Sequence, residues 1–184
     1  MSSVRFCQAV GAVLAVAAAG AALAQSPATQ PASRPVASAS APAGAARAQE
    51  LYERGLDVQR RGKLDEAVQL FAQAVKADPA CVPALNHFAW LRATNRDAKY
   101  RSGPEAVAMA QSAVKVLKAQ EPTRLLGDCL DTLAASYAEA GRSEEAVQAA
   151  KEAAQVADEQ GNRMGARDFE RRKKRYEQKQ PHRE

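Results

Sequence analysis

The 184-residue chain is 46% hydrophobic but only 5% aromatic, and 43 of its residues are alanine. That balance argues against a β-sandwich or barrel and suits closely packed helices, because alanine has the highest helix propensity and lets backbones approach. The formal charge of +5 is basic without being extreme, and three cysteines and two histidines leave little material for a zinc site or a disulfide framework.

Residues 1–24 read as an export signal. Arg5 is the one charged side chain at the start, an uncharged Ala/Val/Leu run follows, and Ala22-Leu23-Ala24 offers small residues for cleavage. Cys7 precedes the apolar run, so lipoprotein processing is not expected, and the mature chain would start near Gln25. The alternative is a retained N-terminal anchor. Residues 25–46 hold four prolines (27, 31, 35, 42), many Ala and Ser and one charge, Arg34. Such a stretch buries too little surface to offset chain entropy and is predicted to be a disordered linker.

Three segments then align: 62–79, 102–122 and 141–158. Each carries Glu-Ala-Val, at 66–68, 105–107 and 145–147, with a further alanine seven residues after the first (Ala74, Ala113, Ala153). Apolar residues upstream of each recur at i, i+3, i+4, the spacing of amphipathic helices. Each repeat is therefore a helix pair, with Gly62 and Gly141 as natural helix stops.

The first unit, 48–81, resembles the tetratricopeptide repeat (TPR) family. It is 34 residues long and has Gly55, Gly62, Ala67, Phe71, Ala74 and Pro79 where that motif has Gly, Gly, Ala, an aromatic, Ala and Pro. The third unit, 127–160, keeps Tyr137, Gly141, Ala146 and Ala153 but has Ala150 and Asp158 in place of the aromatic and the proline. The second, 82–120, keeps Ala106 and Ala113 and carries extra residues between and after its helices. The resemblance implies an all-α solenoid of three TPR-like units over 47–160, closed by a basic C-terminal helix and tail over 161–184. It also implies a concave groove lined by the first helix of each unit, with Tyr52, Leu56 and Gln59, then Asn86, Trp90 and Ala93, then Asp131, Ala135 and Ala138 facing it. Related domains that clamp a C-terminal carboxylate use Lys, Asn and Arg at such positions. Tyr52, Leu56 and Asp131 stand here instead, so that clamp is not expected.

No catalytic constellation, phosphate loop, metal set or cofactor motif is expected. His87 and His182 are far apart, and Asp128 and Asp131, one helical turn apart, read as a solvated face. Cys81 and Cys129 are expected to be two buried thiols, with a disulfide as the alternative. The loop Asn95–Gly103 is expected to pair its charges locally. From 163 to 184, nine Lys/Arg stand against four Asp/Glu, so the basic character belongs to the tail. Met164, Phe169, Arg172 and Tyr176 are predicted to share the packed side of that helix, with the rest solvated.

The expectation is therefore a non-catalytic, exported scaffold or adaptor of a bacterial periplasm or envelope. It would bind a protein or peptide in its groove and would not bind nucleic acid. The rival reading is a membrane-tethered protein whose basic tail holds anionic polymer or lipid.

Overall fold

The computed structural model describes residues 41–119 and 125–184. The expected export signal and residues 25–40 of the expected linker lie outside them. Among the described residues the chain is all-helical. The order is α1 (Ala41–Arg60), α2 (Leu64–Ala77), α3 (Val82–Thr94), a 3-10 turn (Ala98–Tyr100), α4 (Gly103–Lys118), α5 (Leu125–Glu139), α6 (Ser143–Glu159) and α7 (Arg163–Glu177). No described helix is long and apolar enough to cross a membrane.

The linker was expected to reach residue 46, but α1 already begins at Ala41. Its opening is alanine-rich, and its proline lies in the first turn, where the missing N–H costs little. Gly44 lets this turn approach α2: a Cβ there would stand 2.9 Å from the Ala77 carbonyl oxygen.

The helices pack chiefly on their chain neighbours, as the pairs α1–α2, α3–α4 and α5–α6, with α7 against α6 and α3 also against α5. The turns explain this. After α1, Gly62 adopts φ +78°, its N–H donates to the Gln59 carbonyl, and the Lys63 N–H donates to the Val58 carbonyl. The same pair of bonds surrounds Gly141 (φ +76°) and Gly161 (φ +72°). In each case the glycine takes the left-handed conformation that ends a helix without a Cβ penalty, and the next helix starts two residues on. An alanine five residues past each glycine (Ala67, Ala146, Ala166) is buried. The α6–α7 junction thus repeats the turn that joins α1 to α2 and α5 to α6. The α3–α4 connection, Asn95–Ser102, is longer than the other two within-pair turns and uses no glycine.

Burial separates inner from outer helices. On α2 only Ala67, Leu70, Phe71 and Ala74 are buried, which is a single stripe. On α3 the buried set is Val82, Ala84, Leu85, Phe88, Ala89, Leu91, Ala93 and Thr94, which runs all the way round. On α5 it is nearly continuous from Cys129 to Ser136. A helix apolar on every side is one enclosed by neighbours. The contact residues are small: α6 buries Ala146, Ala149, Ala150, Ala153, Ala154 and Ala157. Ala106 and Ala113 of α4 are fully buried. Gly55 approaches Phe71 so closely that a Cβ would lie 2.5 Å from its ring. Pro79 lies in the exposed turn after α2, and Tyr137 is half-buried.

Cys81 and Cys129 are separate buried thiols, and burial pushes Cys129 up to about 12. On α7, Ala166, Phe169 and Tyr176 are buried, but Met164 is 79% exposed, contrary to expectation. Met164 precedes Ala166 by two residues, about 200° around the helix, and so points away from the packed side.

Candidate functional site

Side chains from α1, α3, α5 and α7 meet along one face. At the α1 end, Tyr52 packs on Phe71 with ring centres 6.0 Å apart and on His87 at 5.9 Å, while His87 lies 5.0 Å from Phe71. Gln59 Oε1 is 2.7 Å from His87 Nε2. Burial holds the His87 pKa below its ordinary value, so the ring is neutral and its Nε2–H donates to Gln59. Burial likewise raises Tyr52. Leu56, Gln59, Arg60 and His87 border an open cleft of about 380 Å³.

A second cleft, of about 370 Å³, adjoins it through His87. It is lined by Asn86 and Trp90 of α3, Asp128, Asp131 and Thr132 of α5, Phe169 and Arg172 of α7, and Glu184. Asn86, Trp90 and Asp131, expected to face one groove, are thus together, Leu56 and Gln59 border the neighbouring space, and Tyr52 packs on Phe71 and His87, whereas Ala93, Ala135 and Ala138, also expected to face the groove, are buried in the core. Asn86 presents a buried Oδ1 with no hydrogen-bond partner.

Asp131, expected on a solvated face, is instead buried in an ion pair with Arg172. Arg172 Nε donates to Oδ1 at 2.8 Å, and Arg172 Nη2 lies 2.7 Å from Oδ2. The guanidinium also lies 5.7 Å from the Trp90 ring and 5.4 Å from that of Phe169. The two partners are unequally desolvated, with side-chain exposures of 5% for Asp131 and 17% for Arg172. Burial pushes the Asp131 carboxyl up to about 6, against the hydrogen bonds and charge of Arg172. Burial pulls Arg172 down, but Asp131 more than offsets it and the guanidinium stays charged.

The tail was expected to be solvated; instead it returns to this face. Lys179 has φ +56°, and the Gln180 N–H donates to the Arg175 carbonyl, so α7 ends in the same kind of turn as the glycine-stopped helices. Pro181, His182 and Arg183 are half-buried. The Glu184 N–H donates to the Thr94 carbonyl at 2.9 Å, and the Arg96 N–H donates to the Glu184 main-chain oxygen at 3.1 Å. Trp90 Nε1 donates to Glu184 Oε2 at 2.8 Å, and the His182 ring lies 5.5 Å from that of Trp90. Arg183 reaches Glu139 at 2.6 Å, and Arg101 holds the other Glu139 oxygen at 3.0 Å.

The Asn95–Gly103 loop serves this arrangement. The Asp97 carboxylate caps the Lys99 N–H, and the Tyr100 hydroxyl donates to Asp65 at 2.8 Å. Arg101 also donates to the Asn95 and Arg96 carbonyls. The exposed side of α7 carries Arg163, Arg167, Arg171 and Lys174 around a shallow cleft with Asp158 and Glu170. Among the described residues no group of three or more His, Cys, Asp or Glu is placed to hold a metal ion. Compared with known protein families, curated proteins and solved structures, the chain finds no match in any of the three.

Proposed function

We propose that this is a non-catalytic binding protein, an exported TPR-like scaffold of the bacterial envelope, that holds an extended protein segment along the face shared by α1, α3, α5 and α7. The observation that carries the reading is that an extended segment, Pro181–Glu184, lies against that face and is held there through both main chain and side chains. Repeated helix pairs joined by the same glycine turn support the repeat-protein part, because stacked pairs leave an extended face for a partner. Half-buried Tyr52 and Trp90 supply aromatic anchors of the kind that dominate interfaces.

A photo-crosslinking side chain at Leu56 or Asn86, with Gln148 on the outside of α6 as the control, tests it. Adducts are expected from the two groove positions, lost with Trp90→Ala, and absent from Gln148. Equal labelling from all three positions would end the reading. N-terminal sequencing of the exported chain tests cleavage near Gln25.

The rival reading draws on the cationic side of α7. Binding to anionic vesicles that falls steeply with salt and disappears in Arg167→Ala/Arg171→Ala would favour it.

A further inference from the structure

Helix α3, like α2 and α4, ends without a glycine stop, but the carbonyl of its last residue, Thr94, is capped by a segment from far along the chain. The last carbonyls of a helix have no partner within it and must find one outside. Glu184 supplies its N–H to Thr94 and accepts the Arg96 N–H in return, which is how an extended strand is held by main chain.

The side chains on either side are read separately. Glu139 receives the Arg183 guanidinium, with Arg101 fixing the carboxylate from behind. Trp90 Nε1 receives the Glu184 carboxylate, beside the guanidinium of Arg172. His182 lies over the indole. Main-chain bonds that hold any extended segment, combined with side-chain contacts that select its residues, are the elements of peptide recognition.

Resting on the groove reading above, we propose that residues 181–184 are a built-in competitor for the binding face. The partner's segment would be extended and would carry an arginine followed by an acidic residue, taking the places of Arg183 and Glu184. The tail covers only the α3–α5–α7 end, so the open cleft at Leu56, Gln59 and His87 receives the partner's flanking residues. The charges fit this occupant: an anionic seat at Glu139 and a donor seat at Trp90, beside cationic Arg172, accept the two signs in that order.

The test uses the full chain and a fluorescein-labelled synthetic peptide copying residues 178–184, QKQPHRE. Binding is followed by anisotropy against wild type and against Arg183→Ala/Glu184→Ala, with circular dichroism confirming that both are folded. A docked tail leaves only a fraction of molecules competent, and apparent affinity falls by that fraction. The double variant is therefore expected to bind the peptide about tenfold tighter than wild type, for a tail docked roughly nine-tenths of the time. Glu139→Gln added to it, or alanine at the peptide's Arg and Glu, should abolish binding. Equal affinity for wild type and double variant overturns the competitor. Failure of both to bind overturns the recognition chemistry. A wild-type dimer that trades tails between copies overturns the external partner. If the crosslinks at Leu56 and Asn86 persist while the peptide fails, this inference falls and the groove reading stands.

Discussion

Asp131→Asn isolates the one buried carboxylate of the face shared by α1, α3, α5 and α7, and its effect is a pH slope. Asp131 is 4% exposed, and burial raises its pKa to about 6, from 3.8 in the absence of the fold. A carboxyl raised on folding binds its proton more tightly in the native state. Its stabilising contribution is fully present below pH 3.8 and is lost as the pH rises through about 6. Integrating the two titrations, wild type gains on the order of 1 kcal/mol between pH 7 and pH 5, and roughly 2 kcal/mol by pH 4. Asparagine does not titrate, so this gain is absent from the variant, while titrating groups remote from Asp131 cancel in the difference. Urea unfolding of both proteins at pH 7 and 5, followed by circular dichroism, measures it. The free energy of wild type relative to the variant should rise by on the order of 1 kcal/mol on acidification. Parallel curves would refute the reasoning. A difference that falls on acidification would show that the bidentate Arg172, and not desolvation, sets the carboxyl's pKa.

Other consequences are open to measurement. Gly103→Ala would place a Cβ 2.6 Å from the Ala140 nitrogen and 2.7 Å from its Cα, so backbone must move. A loss of about 1–3 kcal/mol is expected in urea unfolding, as for other overpacked contacts. Gly141→Ala has open space but φ +76°, and should cost about 1 kcal/mol by the same measurement. Lys179 holds a left-handed conformation with a side chain in place, so Lys179→Gly should raise the unfolding free energy by about 0.5–1 kcal/mol; a loss of stability would refute the turn's role. Tail docking should weaken in acid. Burial, with Arg172 and Arg175, holds His182 below its ordinary 6.5 despite Glu184, so its contribution to docking is full above that value and is lost as the pH falls through the lowered one. Trp90 is the sole tryptophan, and its emission should change more between pH 7.5 and 5 in wild type than in Arg183→Ala/Glu184→Ala, which keeps only the Asp131 titration in the Arg172 pair beside the indole.

The helices were legible because their determinants are local. The i, i+3, i+4 pattern, the alanines at close contacts and the left-handed glycines 62 and 141 are written within a few residues of the structure they cause. Gly161 was equally legible, since Ala166 follows it at the spacing of Ala67 after Gly62, but the turn lay where the repeat was expected to end. The start of α1 was missed because proline and serine dominate the linker before it, while Gly44 meets α2 only in three dimensions. The candidate face was half legible. Asn86, Trp90 and Asp131 follow from first-helix positions. Arg172, Glu139 and the docked tail do not, because their partners lie 41, 44 and 94 positions away in pairs that no short period links. The tail's arginine followed by an acid looked like solvated charge until both found receptors.

The alanine stripe of α6 has a thermodynamic consequence for the whole chain. A core of methyl groups covers less apolar area per residue than one of leucine and phenylalanine. Heat capacity of unfolding follows that area, so it should fall below the usual ~12–15 cal/mol/K per residue. The curve of stability against temperature is then flatter than for most domains of this length. Such a protein keeps nearly constant stability from cold to warm, and its melting transition is broad.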